Sequence, residues 1–326
     1  MAGLREKRIS FSEKVIWITG ASSGIGEALA VRLSALGARL ILTSRNAEAL
    51  TGVKARCAGA AVVLPADLST GKFTVPGTGR TGFAGVGQSS PSVDQNPASE
   101  RQDVKNELTG DEPSGPSGDQ TDAYQSPATK NSFSGLAQQA ISIYGRVDIL
   151  INNAGIGQRA SAEETSEAVL RRILELDFFA PVLLTQALLP HFSTNGGQVV
   201  VTGSMAGLMG VPRRTSYAAA KHAVMGYFES LQVEHTIPGF HVTIISPGRV
   251  RTSLSLNALR GSGDPHGKMD AAQEKGIPVE ECADKMIAAI SRKRKHVIIA
   301  REEKILWYLR KWAPPLYYMV ARKFGR

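Results

Sequence analysis

The run VIWITGASSGIGEALA, from Val15 to Ala30, limits the possible folds more than any other part of the chain. It opens almost continuously apolar, which suits a strand covered on both faces. Three glycines then mark a tight turn, and 27–37 takes up helical spacing and ends on Gly37. The same alternation returns along the chain. Strands are expected at 15–19, 39–44, 61–68, 147–155, 198–204, 241–248 and 296–300. Helices are expected at 27–37, 47–57, 133–145, 163–192, 215–235 and 279–293. Buried strands separated by helices form βαβ units, whose right-handed crossovers build one parallel sheet. The expected architecture is α/β, a doubly wound parallel sheet of about seven strands with helices on both faces. Ligands of such a sheet bind outside the carboxyl ends of the strands, so the residues directly after each strand matter most.

One segment breaks the alternation. Residues 70–132 are rich in Gly, Ser, Pro, Gln and Asp and hold no sustained helical or strand period. Such a stretch buries too little apolar area to offset an ordering cost of roughly 1–2 kcal/mol per residue. It reads as a disordered insertion within a single domain over 1–300, with 301–326 as a basic, aromatic tail; a regulatory or partner-binding loop is the alternative. The closure cost of a long insertion grows only logarithmically, so the fold tolerates it. Cys57 and Cys282 are the only cysteines, which argues against a disulfide framework and for a reducing compartment. Neither a transmembrane helix nor a metal site is expected, and the opening MAGLREKRIS has no apolar core of a secretory signal. The formal net charge is +9, and residues 292–326, with eleven Lys/Arg and two Glu, carry all of it. A neutral body with a basic tail points to a local anionic surface, such as a lipid headgroup layer, rather than to nucleic acid.

Three places carry chemistry. In the first turn, Gly20 permits a sharp bend, and Gly24 and Gly26 let the backbone approach a pyrophosphate and the helix pack on the sheet. Ser22, Ser23 and Ile25 complete that turn, and the helix start behind it offers free N–H groups to phosphate. After the second strand stands Arg45, where an NAD-selective site would place an acid for the ribose 2′-hydroxyl. A guanidinium suits a 2′-phosphate, so NADP(H) is favoured and NAD(H) remains possible; the alternative is that Arg45 is only a solvated helix-start residue. Tyr217 and Lys221 lie four apart on an expected helix and so share a face, with Ser204 at a strand end before them. An ammonium beside a phenol favours the phenolate, which equips Tyr217 as general acid/base for a carbonyl or alcohol oxygen. Ser204 would hydrogen-bond the same oxygen, and Lys221 would hold the nicotinamide ribose.

Thr19-Gly20-x-x-x-Gly24-x-Gly26, Asn153-Ala154-Gly155, Ser204 and Tyr217-x-x-x-Lys221 together resemble the short-chain dehydrogenase/reductase superfamily over nearly the whole chain outside the insertion and termini. The resemblance implies a Rossmann-like fold and further cofactor contacts. Asp67 and Leu68 resemble the adenine-contacting pair, although a turn aspartate reads equally well. Asn153-Ala154-Gly155 would lie beside the adenine ribose. Pro247-Gly248-Arg249-Val250-Arg251-Thr252 resembles the loop in which Val250 and Thr252 contact the carboxamide. The superfamily usually has an asparagine supporting a proton relay where this chain has Asp177, so Asp177 is placed with the catalytic group and its relay role stays open. The resemblance also implies that 253–276 forms a mobile lid; His266 within it reads as an exposed loop residue.

The expected protein is an NAD(P)-dependent oxidoreductase moving a hydride between cofactor and a carbonyl or secondary alcohol of a fairly apolar, lipid-, steroid- or retinoid-like substrate. The alternative is a cofactor-binding regulatory protein with little turnover. The tail and the stretch 246–260 most resemble the membrane-associated dehydrogenase/reductase member 7 branch of the superfamily. That resemblance implies the cytoplasmic side, peripheral on an endomembrane such as the endoplasmic reticulum, and a homodimer or homotetramer through 163–192 and 215–235. The tail itself reads either as an interfacial segment or as packed on the body, and Pro314-Pro315 is expected to break any helix in it.

Overall fold

A computed structural model describes residues 10–74, 81–82 and 127–323. The first half-sheet is β1 (Val15–Thr19), α1 (Gly24–Ala35), β2 (Arg39–Thr43), α2 (Ala47–Ala55) and β3 (Ala61–Val63). Three short strands follow, β4 (Ala66–Asp67), β5 (Lys72–Thr74) and β6 (Thr81–Gly82), and then α3 (Pro127–Tyr144) and β7 (Ile149–Asn152). Next come α4 (Glu167–Leu174), α5 (Ala180–Asn195), β8 (Gly197–Thr202), α6 (Thr215–Glu234) and β9 (Phe240–Pro247). The chain closes with α7 (Ala271–Glu274), α8 (Val279–Ser291), β10 (His296–Ile299), α9 (Glu303–Trp312) and α10 (Pro314–Lys323). The main sheet has seven strands in the order β10-β9-β8-β7-β1-β2-β3, and every pairing in it is parallel. The strand order reverses between β1 and β7, which opens the crevice of a Rossmann-like sheet at that point.

Alternate strand residues seal the two faces. Ile16, Ile18, Leu40, Leu42 and Ile151 pack under α1, α2 and α8, the last through Cys282, Met286 and Ile290. Trp17, Ile41, Leu150, Val199 and Val201 pack under α3, α5 and α6 through Leu136, Leu188, Phe192 and Phe228. The indole of Trp17 is fully buried, and its N–H donates to Thr43 Oγ1 at 2.8 Å, so the large ring leaves no polar atom unpaired.

Several boundaries differ from the sequence expectation. The strand expected at 61–68 divides at Pro65. Leu64 N–H still donates to Leu42 O and Ala66 N–H to Ser44 O, but proline supplies no donor between them. The insertion is ordered at its ends: β5 pairs antiparallel with β4 and β6, and α3 begins at Pro127 rather than at 133. The body of the insertion lies outside the described residues. The helix expected at 163–192 starts at Glu167, where Ser166 accepts from Val169 N–H as a side-chain cap. A π-helical turn, Glu175–Phe179, joins α4 to α5. This continuous helix, Glu167–Asn195, is long and apolar enough to cross a bilayer by composition, yet Leu184, Leu188 and Phe192 are sealed against the sheet.

The tail is helical on both sides of the prolines. The break falls at Ala313, and Pro314 opens α10, where a missing N–H costs nothing. Trp307, Leu309, Tyr317 and Ala321 pack on Met205 and Met209, and Tyr317 Oη donates to Gly210 O at 2.6 Å. The tail therefore packs on the body. Its outer side exposes Ile305, Tyr308, Trp312, Leu316, Tyr318 and Met319.

Candidate active site

A cavity of about 1390 Å³ opens at the carboxyl ends of β1, β2, β7, β8 and β9. Its floor is the glycine turn. Gly20 and Gly24 stand at φ +66° and +57°, a region only glycine enters freely. A side chain at Gly20 would lie 2.8 Å from Ala154 Cα, so the turn sits directly on the segment after β7. Asn153 ties the two together: its amide donates to Thr19 O, and its N–H donates to Thr19 Oγ1 at 3.0 Å. No side chain caps the start of α1 at Ser23, so its first N–H groups remain available to an anion. Thr252 closes the turn from above, its methyl 3.2 Å from where a Gly24 side chain would begin.

The structure brings most of the expected residues to this cavity. Gly20, Ser22, Ser23, Gly24 and Ile25 line it from the turn, and Arg45 and Leu68 from the ends of β2 and β4. Asn153, Ala154, Gly155 and Asp177 form one wall; Ser204, Tyr217 and Lys221 form a second, which meets the first where Lys221 touches Asp177; Pro247, Gly248, Val250 and Thr252 also line it. Two residues depart from the expectation. Gly26 lies behind the turn, packed on Gly20 O rather than on the cavity. Asp67 is absent from the lining, and its Oδ1 accepts from Ser69 N–H and Ser69 Oγ, the turn-aspartate alternative.

The second wall is built on α6. Tyr217 and Lys221 share its face, 6% and 5% exposed. The ammonium of Lys221 lies 5.8 Å from the Tyr217 ring centre and donates to Thr202 O at 3.1 Å. Ser204 lies two residues beyond β8, and its Oγ accepts from Ala206 N–H at the start of a single 3₁₀ turn, Met205–Gly207. That turn lies directly on α6. A side chain at Gly207 would stand 2.6 Å from Lys221 O, and Ala206 packs on Tyr217 and Ala218.

Asp177 sits in the π-turn, 1% exposed. The extra residue of a π-turn rotates the helix locally, and such turns gather at functional sites. Its Oδ1 accepts from Ile156 N–H at 2.7 Å. Its Oδ2 meets only the Lys221 ammonium, at 3.5 Å, an ion-pair distance rather than a hydrogen bond. Burial pushes the Asp177 carboxyl above the usual carboxylate range, against the opposing pull of Lys221 and Ile156 N–H. Burial draws Lys221 down, but Asp177 and Tyr217 more than reverse it, so its ammonium is held above the ordinary lysine range.

Three supports gave no sequence signal. Gln158 is fully buried, and its Oε1 accepts from the backbone N–H of Ser216 (2.8 Å) and Tyr217 (3.2 Å), capping α6 under the phenol. Glu303, from α9, accepts from Arg249 and Arg301 N–H and so anchors the loop 247–252. Arg159 and Arg214 both reach Asp270 Oδ2 beside the mouth. A single glutamine or acid outside a motif has no period to announce such a role.

A doubly wound parallel sheet with this glycine turn and this pair on α6 defines an NAD(P)-dependent oxidoreductase. The family model for short chain dehydrogenase matches residues 14–75 and 102–261, and the chain belongs to the short-chain dehydrogenase/reductase family. It is 33% identical to the Dehydrogenase/reductase SDR family member 7B of Bos taurus, over 96% of this chain and 81% of that one. Among solved structures, a short chain dehydrogenase/reductase from Burkholderia phymatum in complex with NAD is similar (TM-score 0.68, 21% identity, 94% and 96% covered). So is a short-chain dehydrogenase from Sphingobium yanoikuyae in complex with NADPH (TM-score 0.61, 22% identity, 87% of each chain).

Proposed function

We propose that this protein interconverts a carbonyl and a secondary alcohol at the expense of NADP(H), with Tyr217 as general acid/base. The observation that carries this reading is the shared face of Tyr217 and Lys221, set against the turn that follows Ser204. When bound, the nicotinamide supplies or takes up the hydride. In reduction, Tyr217 Oη gives its proton to the carbonyl oxygen as that oxygen gains charge. Ser204 Oγ holds the same oxygen in place. Lys221 keeps the phenol in a positive field, and Asp177 holds Lys221 ionised. The uncapped start of α1 takes the pyrophosphate, and Asn153, Ala154 and Gly155 border the ribose. The rest of the cavity, lined by Met205, Met209, Val211, Leu254 and Leu306, suits an apolar substrate body. A broad panel of ketones and aldehydes tests the reading; folded protein that binds NADPH and reduces none of them would overturn it.

Arg45 is the basis for placing NADP(H) above NAD(H), since it lines the cavity between Ser44 and Asn46, a stretch that holds no acid. Arg45→Asp is expected to lower the NADPH-to-NADH ratio of kcat/KM by about 100-fold, the loss of a charged hydrogen bond plus repulsion. An unchanged ratio would show that Arg45 is a solvated surface residue.

Asp177→Asn tests the pair. Lys221 sits above the ordinary lysine range because Asp177 and Tyr217 outweigh burial. Without the carboxylate, burial gains ground and Lys221 loses its proton at lower pH. The alkaline limit of NADPH affinity therefore moves to lower pH in the variant, read by fluorescence titration across pH. A limit that stays in place removes Asp177 from the mechanism.

The outward apolar and basic side of α9 and α10 supports peripheral contact with an anionic membrane, and membership of the family supports a homodimer or homotetramer. Sedimentation with phosphatidylserine vesicles and light scattering check these two points; loss of neither protein nor mass to larger species would reject them.

A further inference from the structure

Guanidinium groups crowd the substrate side of the cavity. Arg159, Arg172, Arg213 and Arg214 all line it, within a segment that also contributes Tyr217. Among the described residues, two carboxylates answer them. Asp270 Oδ2 is shared by Arg159 and by Arg214, the latter at 3.5 Å, and Glu164 meets Arg213 at 3.4 Å. Four cations against two anions leave an excess of two positive charges. A network that served only to hold the loops would match its charges. This one is also partly dry: the side chains of Arg159 and Arg214 are 9% and 23% exposed. Burial, and then Arg214, pulls Arg159 down to about 10, while burial and Arg249 lower Arg214. Arg214 is the N-cap of α6, three residues before Tyr217, and Arg159 follows Gln158, which accepts from Tyr217 N–H. The field extends to the far rim, where burial and then Arg159, Arg260, Lys268 and Arg213 hold His266 below the ordinary histidine range.

We propose that Arg159 and Arg214 form an anion subsite, and that the substrate is a carbonyl or alcohol carrying a carboxylate or phosphate close to the reacting oxygen. The proposal deepens the reductase reading and rests on it for the reacting oxygen alone. Arg159 spends one nitrogen on Gln158 O and another on Asp270, which fixes its plane. Gln158 in turn caps α6 beneath Tyr217, so one residue holds the guanidinium by its backbone carbonyl and the start of α6 by its side chain. Asp270 orients the two arginines without neutralising them both. An incoming carboxylate or phosphate completes the charge balance in a site shielded from water, where such pairs are strong. The apolar part of the substrate then lies toward Met209 and Leu306.

The test uses matched pairs with NADPH: a medium-chain 2-oxo acid against its methyl ester, and a hydroxyketone phosphate against the free hydroxyketone. The anionic member is expected to show the higher kcat/KM by about 10- to 100-fold, mostly through KM, as befits one or two charged hydrogen bonds. Whichever pair shows the larger ratio identifies the anion as carboxylate or phosphate. Arg214→Gln and Arg159→Gln should bring the ratio close to one, and Arg214→Lys should restore part of it. A preference for the neutral members, or a ratio that survives both glutamine variants, overturns the proposal. Calorimetry separates this outcome from failure of the reductase reading. Inorganic phosphate and the 2-oxo acid are titrated into wild type and Arg214→Gln, each saturated with NADPH. Binding by wild type that the variant loses supports the subsite even without turnover; equal binding, or none to wild type, refutes it.

Discussion

Tyr217→Phe is expected to lower kcat by about 10²- to 10⁴-fold, the range of a lost general acid/base, while NADPH affinity stays largely intact. The two effects separate because phenylalanine keeps everything but the oxygen. The ring of Tyr217 is buried against Ala206 and Ala218, and that packing survives the change. The backbone of residue 217 still donates to Gln158 Oε1, so α6 keeps its cap. Lys221 still meets Asp177 and Thr202 O, which leaves its ammonium in place for the cofactor. Only the proton at the reacting oxygen is gone. Stopped-flow measurement of hydride transfer, beside a fluorescence titration of NADPH, reads both quantities. A variant that keeps more than a tenth of wild-type kcat would remove Tyr217 from the chemistry.

Gly26→Ala should be strongly damaging to both the fold and the nucleotide site. The new carbon would stand 2.2 Å from Gly20 O, 2.7 Å from Asn153 Nδ2 and 2.8 Å from Gly20 C. Two of those atoms are backbone, so no rotamer relieves the contact; either the turn or α1 must move. Overpacking of this kind costs about 1–3 kcal/mol or more. It also displaces Gly20 and Asn153, which set the floor of the nucleotide site. Melting should fall by several degrees, and NADPH binding should drop out of the range of a fluorescence titration. Gly52 provides the contrast. It lies in α2 with nothing within 4 Å of an added carbon. Gly52→Ala should stabilise the fold by about 0.5–1 kcal/mol and leave NADPH binding alone. Equal melting and equal NADPH affinity in Gly26→Ala and wild type would refute the assigned role of the turn.

The parallel sheet was legible because its strands are short apolar runs separated by helical periods, and both patterns live within a few residues. The paired Tyr217 and Lys221 were legible for the same reason, since helical geometry alone puts them on one face. The misjudged boundaries have local causes that periodicity does not register. Pro65 divides a strand by lacking one donor, and Pro314 starts a helix instead of ending one. The ordered start of α3 at Pro127 came from a segment whose composition resembles coil.

Other features depend on contacts between residues far apart in the chain. Asp177 was read as a departure from the usual asparagine, but the π-turn that aims it at Lys221 leaves no trace in composition or spacing. Gln158 reaches across 58 residues to cap α6, Glu303 across 54 to anchor Arg249, and Asp270 across 111 to Arg159. Composition left the tail balanced between lipid and protein, whereas in the fold Met205 and Met209 carry Tyr317. Backbone preference and periodic burial act over one turn or one strand, so residue order suffices to encode the layers and the reacting pair. Charge balance and burial are properties of a closed volume, and the arginine-rich mouth came into view only once the folded chain had enclosed it.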